Sequence, residues 1–168
     1  YNFDNVSALG ENDTHVVDVS GNGNNGTVSG AVVNDTGKYD GGSTFDNAAN
    51  KIDLDNTISL AGEFTVSVWG YKNSYGNDGI VSDKADYLAG RITFTTSSSF
   101  RFKSSALSTT SAFPTSEWFY LTATRDSSDT LKIYKNGVDV TSGSLVKFGT
   151  YNFSRVGDNA DNSAYTAF

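Results

Sequence analysis

The stretch Phe64-Thr-Val-Ser-Val-Trp-Gly-Tyr71 sets Phe64, Val66 and Val68 on one side of an extended chain and Thr65, Ser67, Trp69 and Tyr71 on the other. A period of two fits a pleated strand; a helix would repeat its apolar face every three or four residues. Both sides carry bulk, so the stretch reads as a central strand covered on both faces. The alternation recurs over 118–124, where Trp118, Tyr120, Thr122 and Thr124 oppose Phe119, Leu121 and Ala123. Leu131-Lys-Ile-Tyr-Lys135 then runs into Asn136-Gly137. That pair favours a type I′ hairpin turn, because both central residues take positive φ. Shorter strands are expected at 1–4, 43–46, 51–54, 79–82, 88–95, 100–103, 138–140 and 153–157, and a single helical turn at 57–61. Val66, Val68, Leu121 and Ile133 are the expected core.

Residue usage points the same way. The chain has 16 Asp against 3 Glu, with 17 Gly, 16 Asn, 22 Ser and 18 Thr, which favours strands and turns over helices. Many short strands divided by turn signals indicate an all-β sandwich or barrel. At 168 residues the chain is sized for one domain, 1–168, with no repeat or internal boundary. Without Met it reads as part of a longer or processed chain. The absence of Cys rules out disulfides, thiolate metal sites and thiol catalysis. Twelve basic against 19 acidic residues leave a net charge of −7. Binding a polyanion needs a basic face, so the charge argues against nucleic acid and anionic membranes as partners. No apolar run is long enough to insert across a bilayer.

Catalysis is not expected. His15 is the only histidine and sits among Asn, Asp and Thr, as a solvated loop residue would. A catalytic triad therefore has one possible base, and no Gly-x-Ser-x-Gly elbow supplies a nucleophile. Glycoside hydrolysis needs two carboxyl groups flanking one bond. Glu11 and Glu63 lie beside turn residues, Glu117 just precedes a strand, and no two share a strand. Gly21-Asn-Gly23 and Gly41-Gly42 introduce no strand–helix unit that would cradle phosphate.

Several segments, in order, resemble a known family. Asp18-Val-Ser-Gly-Asn-Gly-Asn-Asn-Gly-Thr27 is similar to a turn of laminin-G-like domains, which are concanavalin A-like jelly rolls. Gly37-Lys-Tyr-Asp-Gly-Gly-Ser-Thr-Phe-Asp46, Phe64-Thr-Val-Ser-Val-Trp69, Glu117-Trp-Phe-Tyr-Leu-Thr-Ala-Thr-Arg-Asp126, Leu131-Lys-Ile-Tyr-Lys-Asn-Gly137 and Val156-Gly157 resemble its later landmarks. The resemblance implies a two-sheet antiparallel jelly-roll sandwich of about six or seven strands a sheet. It also implies a non-catalytic module that binds glycans or proteins, often with calcium. The hydrolase branch carries Glu-x-Asp-x-Glu on one strand, and this sequence has none. One departure stands out: the family usually closes with a further strand, and this chain reaches Phe168 without it. A sheet left open exposes unpaired backbone, which invites self-assembly through that edge.

Calcium takes six to eight oxygen ligands, so Asp-rich loops are the places to look. Val81-Ser-Asp-Lys-Ala-Asp-Tyr87 resembles a ligand loop of pentraxins, which places Asp86 as a ligand with Asp83 beside it. The second such loop resembles Asp158-Asn-Ala-Asp161, which places Asn159 and Asp161, with Asp158 beside them. The alternative is that these are Asx-turns binding their own backbone. Asp18-x-Ser-x-Asn22-Gly matches the first half of an EF-type loop but has Ser29 where the bidentate Glu belongs, so a turn is expected there.

Tyr71, Tyr75 and Tyr87 sit near loops as weak candidates for stacking a ligand, with Tyr151 and Tyr165 behind them. Asn-x-Ser/Thr sequons begin at Asn5, Asn12, Asn25, Asn34 and Asn152, no more than chance gives. The expected role is an extracellular, cell-surface or virion-surface recognition and adhesion module for a glycan or surface protein. The alternative is a structural module of a fibre, filament or virion that contacts copies of itself.

Overall fold

The computed structural model describes residues 1, 3–34, 36–45, 49–74, 76, 78–86 and 88–157. A 3-10 turn at Ser7–Leu9 is the only helical element among them. The strands are β1 (His15–Val16), β2 (Gly26–Ser29), β3 (Val32–Asn34), β4 (Gly42–Thr44), β5 (Lys51–Leu60), β6 (Phe64–Tyr71), β7 (Gly79–Ser82) and β8 (Arg91–Thr96). They continue as β9 (Ser99–Phe102), β10 (Ser105–Thr109), β11 (Trp118–Arg125), β12 (Thr130–Lys135), β13 (Val138–Asp139), β14 (Thr141–Ser142), β15 (Leu145–Val146) and β16 (Tyr151–Gly157).

They form a β-sandwich. The front sheet runs β1-β2-β5-β16-β7-β8-β9-β10-β14. The back sheet runs β13-β12-β11-β6, with β15 also on β12, and β3-β4 forms a separate ribbon. Every strand pairing is antiparallel. Asn136 (φ 51) and Gly137 (φ 82) make the expected turn between β12 and β13.

Two apolar clusters fill the interior. The larger lies under the back sheet and includes Phe94, Phe100, Phe113, Phe119, Leu121 and Ile133, all buried. The rings of Phe94 and Phe100 are 4.3 Å apart and those of Phe113 and Phe119 5.0 Å apart. Phe119 explains Gly70 on the neighbouring strand: a Cβ there would stand 2.8 Å from the Phe119 ring. The smaller cluster, with Val28, Val33, Phe45, Ile52 and Leu54, lies at the other end of the front sheet.

Three expectations need correction. Strand β6 is not central; among the described residues it pairs only with β11 and forms the edge of the back sheet. Val66 and Val68 are accordingly half-buried, whereas Leu121 and Ile133 are buried. The segment 57–61 is no helix: β5 continues to Leu60 because Ile58, Ser59 and Leu60 pair with Phe153, Asn152 and Tyr151. Segment 1–4 forms no strand among its described residues, and Phe3 takes a φ of 57° that breaks extension.

Arg125 ties the two sheets together at one end. Its buried guanidinium donates to the carbonyls of Gly62, Leu60 and Gly149, and it lies over the rings of Phe64 (5.2 Å) and Tyr151 (5.1 Å). Burial pushes the Tyr151 hydroxyl up to about 12. Tyr151 is fully buried, which removes it from the ligand-stacking candidates.

Candidate functional site

Alternation on β6 and β11 sends one set of side chains into the core and the other to the outer face of the back sheet. The antiparallel register then places Tyr71 opposite Trp118 and Trp69 opposite Tyr120. The ring centroids are 5.6 Å apart in the first pair and 5.2 Å in the second. All four side chains are half-buried. Tyr39, 76% exposed, meets Trp69 edge-on at 5.7 Å, and Lys38 Nζ lies 5.1 Å from the Trp69 ring centre. Ser67 and Thr65 continue this face along β6 opposite Thr122 and Thr124. Aromatic planes beside hydroxyls and a cation suit a ligand with flat apolar patches and a polar rim.

Of the expected ligand-stacking residues, Tyr71 belongs to this face; Tyr75, Tyr87 and Tyr165 lie outside the described residues. Trp69, Trp118, Tyr120 and Tyr39 were not among the candidates. A signal for three of them was present, since Trp69, Trp118 and Tyr120 alternate in step with Thr and Ser and not with the aliphatic residues. Tyr39 lies in the segment that joins β3 to β4, and only the tertiary fold brings it to Trp69.

The acidic candidates form turns. Asp83 Oδ1 accepts from the backbone N–H groups of Ala85 (2.7 Å) and Asp86 (2.9 Å), and Asp86 Oδ1 accepts from that of Leu88 (3.0 Å). Asp158, Asn159 and Asp161 lie outside the described residues. The Lys84 N–H donates to Ser154 Oγ, in the middle of β16, and Ser82 pairs with Arg155. The 83–86 turn therefore leaves the β7–β16 ladder at the end opposite Gly157. Among the described residues no group of three His, Asp or Glu side chains is placed to hold a metal ion.

Asp18 behaves in the same way. Its carboxylate accepts from Ser20 Oγ, from the Ser20 N–H (2.9 Å) and from the Asn24 N–H (3.0 Å), and the Ser20 hydroxyl is the main reason its pKa falls below the usual carboxylate value. Asn22 Nδ2 donates to Ser20 Oγ, within the same turn. The three glutamates do not converge. Glu11 is a buried brace whose carboxylate accepts from the N–H groups of Val6 (2.9 Å) and Val17 (3.3 Å), and Glu63 and Glu117 are exposed. His15 is paired in β1 with Thr27.

Comparison with known proteins places the fold. A family model described as the concanavalin A-like lectin/glucanases superfamily matches residues 40–168, and the chain belongs to that family. No curated protein matches the sequence. Among solved structures, the binding domain of botulinum neurotoxin serotype G is similar at a TM-score of 0.63 and 16% identity, over 90% of this chain and 42% of that one. The serotype D ligand-binding domain, solved in complex with N-acetylneuraminic acid, is similar at a TM-score of 0.62 and 17% identity, with 90% and 42% covered. The binding domain of Paraclostridial Mosquitocidal Protein 1 is similar at a TM-score of 0.59 and 17% identity, with 90% and 45% covered. The chain thus spans less than half the length of each, and the likeness is one of fold. No helix among the described residues is long and apolar enough to cross a membrane.

Proposed function

We propose that this chain is a non-catalytic recognition module, acting outside the cell or on a cell or virion surface, that binds glycans through the outer aromatic face of β6 and β11. One observation carries this reading: two directly opposed aromatic pairs, Trp69–Tyr120 and Tyr71–Trp118, stand on the face turned away from the core. A pyranose ring presents an apolar C–H face and a polar edge. It matches a tryptophan or tyrosine plane flanked by hydroxyls and a lysine, the mix of apolar surface and few polar groups typical of ligand sites. Family membership supports the reading, as do the binding domains among the similar structures, one of them solved with a sialic acid. The described glutamates stand apart, which is what a binding module without hydrolysis needs.

The test is a glycan array run with and without calcium, beside a native mass measurement. The monomer should bind, and Trp69→Ala or Trp118→Ala should weaken binding at least tenfold, about 1.4 kcal/mol. Loss of binding on chelation, restored by calcium, would add the ion to the proposal, and Asp86→Ala then asks whether the 83–86 turn holds it. Assembly of copies with no glycan bound would instead favour the structural-module reading.

A further inference from the structure

Lys72 and Asp78 flank the short connection from β6 to β7, and both are fully buried. Asp78 exchanges both backbone hydrogen bonds with Phe94 of β8: its N–H donates at 3.1 Å and its carbonyl accepts at 2.9 Å. Residues paired in this way send their side chains to the same face of a sheet. The Asp78 carboxyl is thereby aimed into the larger core, where Phe94 packs on Phe100, Phe113 and Phe119. Lys72 reaches the same spot from the end of β6: its Nζ lies 4.8 Å from the Phe94 ring centre and touches Asp78 Oδ2. The Gly76 N–H donates to Oδ2 at 3.1 Å, and Oδ1 is buried with no hydrogen-bond partner among the described residues.

An ammonium and a carboxylate held in an aromatic core lose their hydration, and their mutual attraction often fails to offset that loss. Burial accordingly pushes the Lys72 ammonium down to about 7, where the neutral amine is well populated. A desolvated amine is a nucleophile, and here its electrophile is already in contact. We propose that Lys72 and Asp78 condense to an isopeptide bond, a covalent self-modification of the folded chain. The ammonium passes one proton to Oδ1, and the freed amine attacks the carboxyl carbon Cγ. The Gly76 N–H faces the charge that builds on Oδ2 as the tetrahedral centre forms. A second proton then moves from the nitrogen to Oδ1, the Cγ–Oδ1 bond breaks, and water departs as the Nζ–Cγ amide closes. The three hydrogens of the ammonium end as one on the amide and two in the water, with no oxidant, reductant or co-reactant. Both buried charges are removed, and the oxygen that leaves is the one without a partner in the core. The link ties the end of β6, directly after Tyr71, to the start of β7. It closes only a short loop, so its signature is mass and not a large rise in melting temperature.

The experiment is mass spectrometry of the protein after folding, read in denaturant so that only covalent links count, and followed by trypsin digestion. The intact chain should be lighter than its sequence by one water. Trypsin needs a free lysine side chain, so the cut after Lys72 should be lost and residues 52–84 should appear as one peptide carrying that loss. Lys72→Arg should restore both the full mass and the cut, whether or not the variant folds. Full mass in the unaltered chain, with separate peptides 52–72 and 73–84, would overturn the proposal and leave the two residues an ion pair. A water lost elsewhere, as at Asp40-Gly41, with the cut after Lys72 retained, would overturn it equally.

Discussion

An aromatic cluster lies on each face of strand β11, reaching it through Phe119 on one side and Trp118 and Tyr120 on the other, and the two clusters differ in kind. Inside, Phe94, Phe100, Phe113 and Phe119 are buried and packed ring to ring. Outside, Trp69, Tyr71, Trp118 and Tyr120 are half-buried, with Tyr39 leaning on the edge. The four inner phenylalanines carry no polar atom, whereas each of the four outer rings carries an N–H or O–H that water or a ligand can satisfy. Phe119 and its neighbours Trp118 and Tyr120 thus take opposite roles one residue apart. The comparison teaches that the outer rings are spare with respect to the inner cluster: its four phenylalanines pack on one another without them, which leaves the outer rings free for recognition.

The largest effect should come from the inner cluster. Phe119→Ala should cost about 3–5 kcal/mol, through lost burial and the cavity left behind. For a domain of this size a melting curve would show that as a drop of roughly 10 °C. A drop of only a degree or two would mean that the inner cluster is not the keystone described here. Close behind lies the pair Lys72 and Asp78, fully buried and in contact beside Phe94, with Lys72 Nζ 4.8 Å from that ring. Lys72→Met should cost about 3–5 kcal/mol because it strands the Asp78 charge, and adding Asp78→Leu should recover much of that loss. A single substitution as mild as the double one would show that the aspartate is already neutral or hydrated.

A smaller effect separates the middle of the back sheet from its edge. Leu121 and Val68 are directly paired across β11 and β6, yet Leu121 is 1% exposed and Val68 is half-buried. In the chain as described, Leu121→Ala should cost about 2–5 kcal/mol and Val68→Ala clearly less, about 1 kcal/mol. Equal losses, read by chemical denaturation, would mean that something covers the β6 edge. The smallest stability change belongs to the outer face. Trp118→Ala should shift stability by about 1 kcal/mol or less, while abolishing most ligand binding. A large loss of stability would make the outer rings part of the packing after all.

Much of this was legible in the residues. The alternation over 64–71 and 118–124 gives the two faces, Asn136-Gly137 gives its hairpin, and Asp18 gives its turn. Alternation reports which side chains share a face and is silent on how many neighbours a strand has. That is why β6 reads as central and stands at an edge. Strands β1, β2 and β3 lie in a Gly- and Asn-rich stretch with weak local preference, and β2 exists because Ile52 and Leu54 of β5 pair with it. The segment 57–61 is a strand for the same reason: pairing with β16 overrides the local signal. The outer aromatic face depends on the register of β6 on β11 and on the placement of Tyr39, neither of which is local.

The two tryptophans of the chain, Trp69 and Trp118, both belong to the outer face, so their indole N–H signals report on it alone. Titrating the isotope-labelled protein with a glycan that it captures should move both indole resonances together, with one dissociation constant, and leave the amides of Phe94 and Phe100 in place. A glycan that binds with the same affinity while both indole signals stay fixed would contradict the assignment of the outer aromatic face as the binding site.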